Sequence, residues 1–271
     1  MKIKWTDPDI NSFMPKYPNM IMTLGLALLL SGCSGCSSVP EPDFLADAPI
    51  GNKEYREANK MKHKMLSKEC AISGWYYLGS YFNKNSWIPE TLIPSINWSY
   101  VAQAMECFND CWFFDNENYQ AYWGAGVVRG VQATFTDDPL LAEKYLKQSA
   151  EFMLMAMKHN VPANQVNNLN IDLANAYNGL GAFYVKTSKK ELADAYLASA
   201  REILFDVTKK EPQNGRAFYL LAATSFYQGK YAEAKQLAEQ AKNKHFKVPD
   251  DFLKDLSSKI AASPVLPQKL K

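Results

Sequence analysis

Histidine is scarce in this chain of 271 residues, and the three present, His63, His159 and His245, are too far apart in sequence to form a cluster. There is no G-x-S-x-G, no H-E-x-x-H and no glycine-rich phosphate loop, so nothing marks a nucleophile elbow, a zinc-protease helix or a nucleotide cradle. Acidic residues are plentiful, but none is set apart by its surroundings. An enzyme is therefore not expected. Neither sign of charge dominates: 30 basic against 28 acidic residues leave a formal charge of +2. A nucleic-acid surface wants a dominant basic stripe, and none is present. Period-two alternation of apolar and polar residues is also rare, which argues against sheets. Beyond the first thirty residues no apolar run is long and uncharged enough to span a bilayer, which takes about 20 residues.

What is there begins with Met20 to Leu30, Met-Ile-Met-Thr-Leu-Gly-Leu-Ala-Leu-Leu-Leu. This uncharged run has the length of a signal-peptide core and is too short for a membrane span. Leu30-Ser31-Gly32-Cys33 closes it. Small side chains ahead of a cysteine admit an extended backbone into a peptidase cleft, and the thiol supplies a nucleophile. The stretch resembles a bacterial lipobox. The resemblance implies that residues 1–32 are a signal peptide. It also implies that Cys33 carries diacylglycerol and an N-acyl chain, the only non-protein groups expected, and that the mature protein is anchored to a membrane facing the periplasm. Cys36 is a second candidate, with Cys33 then standing where a lipobox wants Leu. Ser34, where an Asp would favour inner-membrane retention, points to the outer membrane. Asp7 and Asp9 offset Lys2 and Lys4 in a region that should be short and basic, so translation is expected to start at Met14.

Residues 33–51, rich in Ser, Pro, Asp and Ala, read as a flexible tether. The remaining chain suits one domain of ordinary size or two small ones. Asn52 to Glu69 is highly charged and predicts a first solvated helix with Tyr55, Met61 and Met65 as its sparse apolar stripe. Cys70, Cys107 and Cys111 allow one disulfide and one thiol in an oxidising compartment, or three buried small hydrophobes. Cys107 and Cys111 stand one helical turn apart, but no further zinc ligands accompany them.

From Cys70 onward long helical windows alternate with turn signals. Phe218, Leu221 and Ala222 share a helix face; Gly229 and Tyr231 mark a turn; Ala234, Ala238 and Ala241 form a small-residue stripe on the next helix. Trp75, Leu78, Gly79 and Phe82 are followed by Ala104, Phe108 and Cys111. Tyr122, Ala125 and Gly126 are followed by Ala142, Leu146 and Ser149. Tyr177, Leu180, Gly181 and Tyr184 are followed by Ala193, Leu197 and Ala200. This resembles the tetratricopeptide repeat, W-x2-L-G-x2-Y and then A-x3-F-x2-A with a late Pro. The fold expected is all-α: antiparallel helix pairs stacked over residues 52–260 as a right-handed solenoid. Its repeat lengths are irregular, because the openings lie 47, 55 and 41 residues apart rather than the family's ~34. The first pair carries a long loop, Asn83 to Asn97, with Pro89 and Pro94. The second helices of the next two pairs are expected to extend past Met157 and up to Lys210. Asp138 caps a helix that Pro139 opens, and Glu211 to Gly215 breaks one. Asp250 to Ile260 reads as a terminal capping helix, and residues 261–271 as a loose tail.

The repeat family lines a concave groove with the first helix of each pair. Carried onto this chain, the groove positions are Tyr76 and Ser80, Gln120 and Trp123, Asn175 and Asn178, and Arg216, Tyr219 and Tyr227. Aromatics with amide and guanidinium donors suit an extended peptide or partner helix, although Tyr76 and Trp123 equally suit packing between helices. The resemblance implies a scaffold or adaptor for a cell-envelope protein or peptide. The alternative is a small-molecule-binding component of a periplasmic uptake system, if the helices enclose a pocket. The Lys and Asn cluster of chaperone-tail clamps is not reproduced.

Overall fold

A computed structural model describes residues 53–82 and 93–262. Among the described residues the chain is all-helical, with nine helices and no strand. They are α1 (Lys53–Phe82), α2 (Ile93–Phe114), α3 (Tyr119–Gln132), α4 (Pro139–Met157), α5 (Ala163–Lys186), α6 (Lys190–Lys210), α7 (Gly215–Tyr227), α8 (Tyr231–Asn243) and α9 (Asp250–Ala262). None is long and apolar enough to cross a membrane. The chain divides into two compact units, the boundary falling within α3 between Val128 and Arg129. The expected signal segment 1–32, the tether 33–51 and residues 263–271 of the expected tail lie outside the described residues, while Ala261 and Ala262 close α9 instead of opening the tail.

In the N-terminal unit α1 and α2 pack as a pair. The charged first helix and the first repeat helix expected from sequence are one continuous helix of 30 residues. Nothing between Glu69 and Ala71 breaks it, since neither Gly nor Pro stands there. Pro94, assigned to the loop from sequence, lies in the first turn of α2, where a missing N–H costs no helical hydrogen bond. Trp75 is buried and meets Phe108 and Trp123 edge-on at 5.3 and 5.5 Å. Such edge-to-face geometry matches the positive ring edge to the negative face. Phe108 itself is seated on two glycines. A Cβ at Gly74 would stand 2.7 Å from the ring, and one at Gly124 would stand 2.1 Å from it. Where α2 ends, the Ser67 hydroxyl donates to the Cys111 carbonyl at 2.8 Å and accepts from Asn118 Nδ2 at 2.9 Å. Asn118 Oδ1 also caps α3, accepting from the Gln120 N–H at 3.0 Å.

The C-terminal unit packs its helices in sequence, α4 on α5 through to α8 on α9, with α5 also lying against α7. Asp138 caps α4 as expected, accepting from the Leu140 N–H at 2.9 Å with Pro139 in the first turn. That helix ends at Met157 rather than past it, and α6 ends at Lys210. The long spacing ahead of Tyr177 is taken up by α5, which starts at Ala163 and runs for 24 residues. Ala193, Leu197 and Ala200 are buried, and a Cβ on Gly181 would stand 2.5 Å from Leu197. Helix α8 likewise buries Ala234, Ala238 and Ala241. Small side chains at facing positions let the helix backbones approach closely. Three helices end in one way: the Lys189, Lys230 and Phe246 N–H groups each reach back to a carbonyl five residues earlier. The residue before each bond has positive φ: Ser188, Gly229 and His245. This satisfies a helix-end carbonyl that would otherwise lack a donor. Phe252 and Leu256 bury the inner face of α9.

Candidate partner-binding surface

Five of the nine positions assigned to a groove are buried. Tyr76 is exposed; Ser80, Gln120 and Tyr227 are half-buried; Trp123, Asn175, Asn178, Arg216 and Tyr219 are buried. Tyr76, Ser80, Gln120 and Trp123 belong to the N-terminal unit and the remainder to the C-terminal unit. For Trp123 the packing alternative is the one observed, because its indole sits edge-on against Trp75.

In the C-terminal unit Arg216 and Asn178 bind helix to helix, whereas the buried Asn175 Nδ2 has no hydrogen-bond partner among the described residues. Asp172 and Arg216 form a buried ion pair between α5 and α7. Six residues further along α5, Asn178 Nδ2 donates to the Leu220 carbonyl at 3.0 Å. Its Oδ1 accepts from the Thr224 hydroxyl at 2.8 Å. A buried polar group must find a partner or bear its desolvation cost, and here the neighbouring helix supplies it. Tyr219 lies flat on Phe246 at 5.3 Å and edge-on to Phe252 at 5.4 Å. Burial pushes its phenol up to about 12 and raises that of Tyr227 as well. These groups hold α5, α7 and the cap α9 together.

Further out, Arg201 of α6 makes a paired contact with Glu233 of α8, at 2.6 and 3.2 Å. Its hydrogen bonds hold the Glu233 carboxyl below its ordinary value. A depression of about 370 Å³ lies between α8 and α9, lined by Lys235, Glu239, Lys242, Leu253, Leu256 and Ile260 among others. It includes none of the nine positions. Among the described residues no three or more His, Cys, Asp or Glu are grouped so as to hold a metal ion.

The exposed apolar feature lies on α1, and the structure extends it beyond the Met61 and Met65 named from sequence. Met61, Met65, Ile72 and Tyr76 are 82%, 61%, 36% and 39% exposed. At about 100° per residue they fall within roughly 60° of one another, so they form two apolar pairs, Met61 with Met65 and Ile72 with Tyr76, aligned along the outside of the helix with the exposed Lys68 and Glu69 between them. Met61 and Met65 belong to the sparse apolar stripe expected on a solvated helix, together with Tyr55, whose side chain lies outside the described residues. The packed side of α1 is a different one, formed by Ser67, Ala71, Trp75 and Leu78.

The proposed lipid site, Cys33, lies outside the described residues. No protein-family model matches the chain, and no curated protein or solved structure matches it significantly.

Proposed function

We propose that this chain is a lipid-anchored, periplasm-facing scaffold of the cell envelope. Its Cys33 carries the lipid, and its helical region binds another envelope protein or peptide. The observation that carries the reading is the exposed side of α1 with its two aligned pairs, Met61 with Met65 and Ile72 with Tyr76. Aligned apolar side chains on a helix are a cost in water unless a partner covers them. Methionine is unbranched and polarizable, so it adapts to partners of differing shape. An amphipathic partner helix is the occupant such a face accepts best. A lipid on Cys33 would confine that face to the membrane surface and raise its effective concentration there.

The finer fold reading is a stack of tetratricopeptide-like pairs with a right-handed turn. Its support is that α5 packs on α7 as well as on α6, as the first helices of successive pairs do in such stacks.

The test is photo-crosslinking in intact cells with the tagged, full chain. A photoreactive residue replaces Met65 or Tyr76, and a control replaces the exposed Glu239 on α8. A discrete envelope protein captured from the α1 positions and not from the control is the expected result. No capture from a folded, membrane-bound protein would overturn the scaffold reading and send attention to a bound small molecule. Cys33→Ala should release the protein from membranes and abolish lipid incorporation. Retained lipid would shift the anchor to Cys36.

A further inference from the structure

Among the described residues three cysteines, Cys70, Cys107 and Cys111, lie on α1 and α2, and the register of the interface between these helices brings two of them opposite each other. His63 of α1 meets Phe114 of α2, ring centroids 5.9 Å apart. Fourteen residues along each helix, about four turns, Tyr77 of α1 meets Tyr100 of α2 at 6.4 Å. Cys70 stands midway between His63 and Tyr77, and Cys107 stands midway between Phe114 and Tyr100. Each is one seven-residue step from the observed contacts, and a seven-residue step returns a helix to nearly the same face. Ser67 pairs with Cys111 on the same line, its Oγ 2.8 Å from the Cys111 carbonyl and 3.3 Å from its Sγ.

The helices are close there as well as aligned. A serine side chain is short, so a hydroxyl that reaches a backbone carbonyl of the facing helix requires the two backbones to approach tightly. Small residues recur in this stretch of the seam, Ser67, Cys70 and Gly74 on α1 and Ala104, Cys107 and Cys111 on α2, with the Phe108 ring seated in the space that Gly74 leaves. Disulfides need Cα atoms about 4.4–6.8 Å apart, a range that only small-residue helix contacts reach.

We propose that Cys70 and Cys107 form a disulfide that fastens α1 to α2 when the chain meets an oxidising compartment, leaving Cys111 as a thiol. Cys70 and Cys107 are both partly open to solvent, whereas Cys111 is buried and engaged by Ser67. Burial pushes the Cys70 thiol up to about 11 and that of Cys107 up to about 12. Thiolates are therefore disfavoured at this site, while a neutral disulfide is not. The oxidant is a disulfide donor, either glutathione disulfide or an oxidised protein dithiol. One thiol loses its proton and attacks the donor disulfide, forming a mixed disulfide and releasing a donor thiolate that takes up a proton. The second protein thiol, deprotonated in turn, attacks the mixed disulfide and expels the other donor thiol. Two protein thiols are oxidised and one donor disulfide is reduced to two thiols. The link would also hold α1 so that its outer apolar pairs are presented on a fixed helix.

This inference is tested on the purified full chain and does not depend on where the protein resides. The folded protein is equilibrated with a glutathione redox buffer, remaining thiols are alkylated, and the product is digested with chymotrypsin. Cleavage after Phe108 separates Cys107 from Cys111, so fragmentation mass spectrometry identifies the joined sulfurs. The expected result is a Cys70–Cys107 linked peptide with alkylated Cys111, together with a higher unfolding midpoint that reductant reverses. Cys111→Ser should keep the link and Cys70→Ser should lose it. A Cys70–Cys111 link, or glutathione left on Cys70 without ring closure, would overturn the proposal. The wild-type peptide map decides the matter even if a serine variant fails to fold.

Discussion

Replacing Gly124 by alanine should destabilise the protein, although the same change in the middle of most helices stabilises it. Alanine in a helix interior is favoured over glycine by roughly 0.5–1 kcal/mol, because the unfolded chain has less freedom to lose. At Gly124 the new Cβ would stand 2.1, 2.2 and 2.4 Å from three carbons of the Phe108 ring, where carbon contacts settle near 3.5–4.0 Å. The ring cannot retreat, because a Cβ on Gly74 across the ring would already be 2.7 Å away, so the α1 backbone is the wall behind it. Overpacking of this kind costs about 1–3 kcal/mol. An overlap of more than an ångström against a trapped ring belongs at the upper end, which leaves a net loss of about 2 kcal/mol. Urea unfolding followed by far-ultraviolet circular dichroism would measure it as a lower midpoint with an unchanged slope. The partner variant Phe108→Leu makes room, so the double variant should recover about 1 kcal/mol relative to the sum of the single changes. A Gly124→Ala protein as stable as the parent, or more so, would refute the reasoning. It would mean that Phe108 is not held between the two helices.

Breaking the buried ion pair by Asp172→Ala should cost about 3–5 kcal/mol, because the buried Arg216 guanidinium loses its carboxylate; a combined Asp172→Leu, Arg216→Met protein should lose much less. The same unfolding assay distinguishes the two, and equal losses would mean that packing rather than charge is at stake. Ser188→Gly should gain about 1 kcal/mol, since a side chain in left-handed backbone is strained and glycine is not; an unchanged or lower thermal midpoint would count against the strained turn at φ 58°. Glu143 receives the Lys147 ammonium at 2.7 Å and the Tyr184 hydroxyl at 2.8 Å, which hold its carboxyl below the ordinary value. A depressed folded value contributes stability above the unfolded pKa of about 4.3 and loses it as pH falls through the folded value. Glu143→Gln should therefore lower stability at neutral pH and flatten the acid limb of the stability profile. A variant whose acid limb retains the parent slope would sink that assignment.

Much of this fold is local chemistry and was legible as such. Helical periods, the Asp138 cap before Pro139, the break at Glu211 to Gly215 and the positive-φ turn at Gly229 each need only a few neighbouring residues to act. So do the buried stripes Ala193, Leu197, Ala200 and Ala234, Ala238, Ala241, whose spacing puts small groups on one face whatever they pack against. Which face of a helix is covered is a different kind of question. Helix α1 carries apolar residues on two sides, and only the placement of α2 decides that Trp75 and Leu78 go inside while Met61 and Met65 stay in water. The same holds for Asn178 and Arg216. As side chains they suit a ligand, and only the packing of α5 against α7 gives them Thr224, Leu220 and Asp172 as partners instead. The cysteines show the division most simply. The chain alone allows several pairings among Cys70, Cys107 and Cys111, because spacing along one helix says nothing of its register against another. That register is decided by tertiary contacts, His63 with Phe114 and Tyr77 with Tyr100, which bring distant stretches of chain together.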